Sequence, residues 1–534
     1  MRPTFVYQGH TLAPDEVEAR WRRHAGALAA LGIGSGDIVA LMLRNSPDAI
    51  ALMLATRHLG AQWCPVNWHF KVDEVQYVLA NSGAKVFIVD AALLRSLPGL
   101  QPAGVRVFAL RAGAPTVWSG SSSGDAPADA PLVGPSNAPA AMPDAVTGGS
   151  SGGVPGVPSW EALSAATPPL TTPPAPPRGA MFYTSGTTGR PKGIVREAMT
   201  QAQAVAAAEM RRLAYGSRPG MRALLSAPWY HSAPNSYALG IAQESGTLFV
   251  EDRFDAERTL ALIHEQRLTH AYLVPTMYVR LLALPAAVRE RYDVRSMGFV
   301  SSTGSPCPPQ VKRAMIAWWG PVIHECYGAS ELGYMTLLTS EQALRKPGSA
   351  GAPLPGVVLK ILDDAGRELP RGMPGLIYID QPATPDFSYV GNPESRTRMQ
   401  SADGLKTMGD IGTLDDDGFL FIVDRQADLV ISGGVNIYPA EVEMLLHTMP
   451  GVADCAVFGI PDDEFGEALA AAVQPALDVA LTPDAIRAWL HERIAGYKVP
   501  RVVTLHEALP REDTGKIFKR RLRDPYWAGR TRQV

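Results

Sequence analysis

Eleven consecutive residues, Tyr183-Thr184-Ser185-Gly186-Thr187-Thr188-Gly189-Arg190-Pro191-Lys192-Gly193, concentrate groups suited to a polyanion. Gly186 and Gly189 let the main chain come close to a phosphate. Thr184, Ser185, Thr187 and Thr188 add hydroxyl donors, and Lys192 adds a point charge. Placed after the short apolar run Met181-Phe182, this reads as a loop that holds the phosphates of ATP. It is not the G-x-x-x-x-G-K-[ST] loop, because Pro191 precedes the lysine and Gly193 follows it. The plain alternative, a polar turn of small residues, does not account for this density of phosphate-suited groups.

Five more segments hold polar residues among small or aromatic ones. They are Pro228-Trp229-Tyr230-His231-Ser232-Ala233-Pro234, Glu325-Cys326-Tyr327-Gly328-Ala329-Ser330-Glu331, Met408-Gly409-Asp410, Asp424-Arg425 with Ser432-Gly433-Gly434-Val435-Asn436-Ile437-Tyr438-Pro439-Ala440-Glu441-Val442-Glu443, and Pro510-Arg511-Glu512-Asp513-Thr514-Gly515-Lys516-Ile517. Together with the first run, and in this order, they resemble the motifs of the adenylate-forming enzymes: acyl- and aryl-CoA synthetases, luciferases and peptide-synthetase adenylation domains. The likeness spans nearly the whole chain outside one insertion. It implies an α/β fold whose large N-terminal domain, 1–424, has mostly parallel sheets flanked by helices. A hinge at 425–428 would join it to a small mobile α+β C-terminal domain, 429–534.

The chemistry follows from the acid substrate. A carboxylate is a poor electrophile, so attack by a thiol requires its conversion into a mixed anhydride with AMP, and charge built at the α-phosphate needs cations and fixed donors. By the resemblance, Thr184, Ser185, Gly186, Thr187, Thr188, Gly189 and Lys192 hold phosphates, with Gly304, Tyr327 and Gly328 also around the nucleotide. Glu331 would offer an oxygen to Mg²⁺, and Ser330 would do the work of the family's threonine. Asp410 would accept from the ribose hydroxyls and Arg425 donate to them. Lys516 would reach the α-phosphate during adenylation. In the thioester step the small domain would rotate and present Ser432, Gly433 and Gly434 to the pantetheine arm of CoA. His231 would gate the acyl site, with Ser301 to Ser305 as one wall. Read singly, Glu331 is a solvated acid, Asp410 an Asp-Gly type turn, His231 a structural histidine and Lys516 part of the basic tail formed with Lys519, Arg520, Arg521 and Arg523. Met408 departs from the family's T-G-D, and Ala427 stands two residues after the arginine where Asp or Lys is usual.

Elements to position these groups are legible. Ser46-Pro47-Asp48 opens a helix stopped by Gly60, and Ala84 to Val89 reads as a strand. Asp255 caps a helix through His264, before a strand over Ala271 to Val274. Pro308-Pro309 opens a helix ending at Gly320, followed by the strand Val322 to Glu325. Near the end, Pro439 to His447 reads as a helix, Ala453 to Phe458 as a strand, and Thr482-Pro483-Asp484 as the start of a helix ending near Gly496. Helices alternating with short apolar strands imply parallel sheets. Between Ala112 and Ala180, Gly, Ser, Pro and Ala dominate and the alternation stops, as in a surface insertion. Deleting Ser119 to Pro155 is expected to leave folding and activity intact.

With 49 Lys+Arg against 52 Asp+Glu over 534 residues, no basic field for nucleic acid exists. Collagen-like, coiled-coil and wholly disordered classes fail on composition. Met1-Arg2-Pro3-Thr4 lacks the apolar region of a secretory signal, and Ile38 to Leu59 is broken by Arg44, Asp48 and Arg57. A cytoplasmic protein with no transmembrane segment is the expectation, with a small carboxylic acid and CoA as partners and a homodimer as a compatible assembly. The resulting reading is an ATP-dependent acyl-CoA synthetase acting on a medium- or long-chain fatty acid or a steroid side chain. Its rivals are an aryl-CoA ligase and a non-catalytic nucleotide-binding protein.

Overall fold

The computed structural model describes residues 2–111, 154–184, 191–433, 435–477, 479–511 and 516–529. The chain forms two compact units. The first comprises Met1–Ser185, Pro191–Gln201 and Trp229–Asp252; the second comprises Gly186–Arg190, Ala202–Pro228 and Arg253–Val534.

In the first unit a parallel sheet runs in the order Gln62–Pro65, Ile38–Met42, Val86–Asp90, Arg106–Leu110. Its inner strands are nearly continuous apolar runs, as parallel strands covered on both faces require. The Pro47–His58 helix begins as its sequence dictates: Ala49 N donates to the Ser46 hydroxyl at 3.2 Å, with proline at the first helical position. A short hairpin pairs Tyr183–Thr184 with Lys192–Arg196.

Part of the stretch 112–180, expected as an insertion, carries regular structure. Residues 154–180 are described, and Trp160–Ala166 is helical, started by Ser159, whose hydroxyl accepts from Ala162 N at 3.2 Å. Fully buried Trp160 packs edge-on against Phe108 at 5.4 Å, so one aromatic offsets the ordering cost that the surrounding prolines and glycines could not.

In the second unit, Arg222–Leu225, His270–Tyr272, Phe299–Ser302 and Ile323–Ala329 lie side by side and parallel. Gly333–Leu338 and Ala352–Pro353 add antiparallel to that edge. The Ala256–Gln266 helix begins at Asp255, whose carboxylate accepts from Arg258 N. It ends two residues beyond the expected His264. An antiparallel sheet follows, in the order Val358–Leu362, Gly375–Asp380, Lys406–Leu414, Leu420–Arg425. From Val430 onward an α+β layer forms around the long hairpin Val452–Asp462 with Gly466–Pro475, joined by Val502–Leu505 in parallel. Val442, Leu446, Val457, Leu469, Ile486 and Leu490 make its core, the helical members coming from Pro439–Leu446 and Pro483–His491. The last of these helices stops at His491 rather than near Gly496. Among the described residues no helix is long and apolar enough to cross a membrane.

Candidate active site

The strongest grouping lies in the second unit. Asp410 and Arg425 are cross-strand partners on adjacent antiparallel strands, which brings two residues 15 apart in sequence within reach. Arg425 Nε donates to Asp410 Oδ1 at 2.9 Å, and the Tyr327 hydroxyl donates to Asp410 Oδ2 at 2.6 Å. Each carboxylate oxygen therefore holds one donor and keeps a further lone pair for a diol. Burial, reinforced by the Asp410 charge, pushes the Tyr327 phenol well above its usual range, so it stays a neutral donor. The Asp410 side chain is 6% exposed and that of Arg425 55%, so the group opens outward on the arginine side.

Tyr327 sits at the carboxyl end of Ile323–Ala329, beside the parallel strand Phe299–Ser302 that leads into Gly304. Carboxyl ends of parallel strands are where open α/β sheets bind ligands. Gly304 has φ +99°, a conformation that excludes side chains. A Cβ on Gly328 would lie 2.6 Å from the Gly333 carbonyl oxygen, so the hairpin that carries Ser330 and Glu331 closes only around glycine. Glu331 is buried, and Tyr389 donates its hydroxyl to Glu331 Oε1 at 3.1 Å. That rules out the solvated surface acid. No sequence motif marked Tyr389.

In the first unit, Thr184 and Lys192 pair across the hairpin at the neck of the glycine- and hydroxyl-rich run. The neck is anchored by two tyrosines: Tyr183 donates to Asn81 Oδ1 at 2.8 Å, and Tyr77 donates to the Pro191 carbonyl at 3.1 Å. Ser185, Gly186, Thr187, Thr188 and Gly189 lie outside the described residues. His231 precedes the Ser232–Gln243 helix and packs on Tyr230 at 4.2 Å, which in turn meets Trp68 edge-on at 4.5 Å. The segment before it is fixed by Trp229, whose ring nitrogen donates to the Leu43 carbonyl at 2.7 Å.

Ser432 and Gly433 form the turn between Val430–Ser432 and Val435–Ile437, with Gly433 at φ +56° and its N–H on the Phe465 carbonyl at 2.8 Å. Gly434 lies outside the described residues. Lys516 ends a segment whose neck is closed by a bridge between Arg511 and Ile517. Of the basic residues after it, Lys519 is drawn in and pairs with Glu443 at 2.7 Å, whereas Arg520 pairs with Asp524 at 2.9 Å on the exposed surface. Among the described residues, His447, Asp454 and Cys455 come close enough to share an ion, but Arg511 already pairs with Asp454.

Residues 1–385 match the family model described as AMP-binding enzyme, and residues 441–516 match that of the AMP-binding enzyme C-terminal domain. The long-chain-fatty-acid–CoA ligase FadD13 of Mycobacterium tuberculosis is 32% identical over 96% of this chain and 93% of its own length. A feruloyl-CoA synthase of Amycolatopsis sp is 31% identical, over 96% and 94%. The crystal structure of ATP-bound MatB from Rhodopseudomonas palustris superposes with a TM-score of 0.81 at 27% identity, covering 98% of this chain and 96% of that one. The chain belongs to the AMP-binding, adenylate-forming enzymes, and within them to the acyl-CoA synthetases, AMP-forming acid–thiol ligases.

Proposed function

We propose that the protein converts a medium- or long-chain fatty acid, or a steroid side-chain acid, with ATP and CoA into acyl-CoA, AMP and diphosphate through an acyl-adenylate. The Asp410 carboxylate held by Tyr327 and Arg425 carries this reading: it is a prearranged diol acceptor, bonded to a tyrosine near the carboxyl end of a parallel strand. Asp410 and Arg425 grip the ribose, and Lys192 with the run before it takes the β- and γ-phosphates. Lys516 neutralises charge at the α-phosphate as the acid's oxygen attacks. A buried carboxylate such as Glu331 offers an oxygen that suits a hard cation. Glu331 would hold Mg²⁺ through a carboxylate oxygen, with Ser330 as its sequence neighbour, and the ion would supply charge to offset the phosphates. Rotation of 429–534 about 425–428 then exchanges Lys516 for the Ser432–Gly434 turn, which admits the narrow pantetheine arm.

The acyl preference rests on the similarity to FadD13 and on the segments around the acyl site, where no arginine or lysine stands out to pair with a second carboxylate. An aryl acid is the second reading, favoured by the near-equal similarity to a feruloyl-CoA synthase and by the ring cluster of Trp68, Tyr230 and His231. ATP–diphosphate exchange over fatty, steroid and aromatic acids separates the two. Exchange with none of them, or normal exchange in Lys516→Ala, overturns the assignment.

A further inference from the structure

We propose that Lys519 is a positioning residue for adenylation: it ties the chain just behind Lys516 to the carboxylates that flank residues 425–428. The inference rests on the reading of Lys516 given above. Lys519 opens the short Lys519–Arg523 helix, three residues past Lys516. Its Nζ lies 2.7 Å from Glu443 Oε1, with the two side chains only 22% and 17% exposed. The same Glu443 oxygen accepts from Val457 N at 2.6 Å, so the carboxylate is fixed to the sheet before it meets the lysine.

The charges of two more carboxylates, Asp424 and Asp428, act on the same ammonium. Asp424 is buried and bridges the two sides of the 425–428 segment, accepting from Arg425 N at 2.7 Å and from Ala440 N at 2.9 Å. Asp428 lies within that segment and also meets Arg523 at 3.7 Å. Burial opposes the charge on Lys519, but Glu443, Asp428 and Asp424 outweigh it and keep the ammonium protonated. Without Lys519, three acids would converge with Arg523 as their remaining cation on that helix, an arrangement that like-charge repulsion opens. Directly after Lys516, Ile517 is bridged to Arg511 and packs with Phe458, Ile460 and Leu509. Two anchors thus follow Lys516 in succession, an apolar one at Ile517 and an ionic one at Lys519. The ionic anchor is shared with the segment about which the small domain turns, so the lysine's placement and the domain's pose are set by the same contacts.

The test uses the full-length protein with its accepted acid and measures the half-reactions separately. Lys519→Met should lower kcat for ATP–diphosphate exchange on the order of tenfold or more, the scale on which a misplaced catalytic group costs rate. KM for ATP and single-turnover thioester formation from preformed acyl-adenylate should stay within about twofold, because the lysine segment is withdrawn in that step. Lys519→Arg should restore exchange, and Glu443→Gln should reproduce the Met variant. Equal loss in both half-reactions, no loss in either, or failure of the arginine variant to rescue overturns the proposal; should Lys519→Met not fold, Glu443→Gln decides by the same criteria. Normal exchange in Lys516→Ala would instead remove the underlying reading, so the two failures are distinguishable.

Discussion

Two hydrogen-bonded polar groups, one in each unit, differ in what they can reach. Ser164, His24 and Asp48 have the composition of a hydrolytic triad: Ser164 Oγ lies 3.2 Å from His24 Nδ1, and His24 Nε2 lies 3.4 Å from Asp48 Oδ1. All three are buried, and Trp160 donates its ring N–H to the same Nδ1 at 3.1 Å. Indole nitrogen only donates, so Nδ1 must accept and the ring proton faces Asp48. Arg20 completes the charge balance at 3.0 Å. Burial works against the Asp48 charge, yet His24 and Arg20 hold its carboxyl below the usual range. This group fastens the Trp160–Ala166 helix to its unit. Asp410 with Tyr327 and Arg425 has no such familiar composition, but it opens toward solvent through a half-exposed arginine. Residue types nominate a site; access decides it.

The comparison predicts reciprocal phenotypes. Asp48→Asn should destabilise the fold by about 3–5 kcal/mol, because it leaves buried Arg20 without its partner. Thermal unfolding reads that loss, and ATP–diphosphate exchange by the remaining folded protein should be unchanged. Asp410→Ala should do the reverse. Loss of two hydrogen bonds to a charged acceptor, about 3–6 kcal/mol together, lowers kcat/KM for ATP by more than about 100-fold, while the Tyr327 phenol left without its acceptor costs only about 1–3 kcal/mol of stability. Loss of exchange in folded Asp48→Asn would break the contrast.

Asp424 sharpens it from a third position, since burial raises its carboxyl to about 6. An unfolded aspartate titrates near 3.9, so between about pH 4 and 6 the folded state holds a proton that the unfolded state releases. The contribution therefore destabilises above the folded pKa and is relieved as pH falls through that window. Asp424→Asn should flatten the pH dependence of unfolding across that window by about 3 kcal/mol, the free energy that separates the two titrations. An unaltered pH profile would show that the carboxyl titrates normally. Last and smallest, Ser164→Ala should cost about 0.5–1.5 kcal/mol in denaturant unfolding and leave exchange untouched. A large activity loss would mean that the buried serine is reached after all.

Local signals in the sequence located much of this. Ser46, Asp255 and Thr482 each cap the helix they were expected to start. The strand expected over Ala453 to Phe458 is real but longer, Val452–Asp462, because its partner Gly466–Pro475 pairs with it along its whole length. What stayed hidden was long-range. The Tyr327–Asp410 bond joins residues 83 apart, and the Glu331–Tyr389 bond residues 58 apart. The buried state of Lys519 depends on where Glu443 and Asp428 arrive after folding, and a run of basic residues at the end of a chain gives no sign of it. Trp160 was the overlooked signal inside the low-complexity stretch: a large aromatic among prolines and glycines marks a place where that stretch has something to bury.

Ala109 and Ser159 are paired in parallel, with Ala109 N on the Pro158 carbonyl at 3.0 Å. The polypeptide therefore departs from and returns to a single point on the sheet's rim, and the loop-closure cost of what lies between grows only slowly with its length. That makes this rim a splice point at which a fluorescent or affinity cassette can be joined to the chain with both of its ends held at one place.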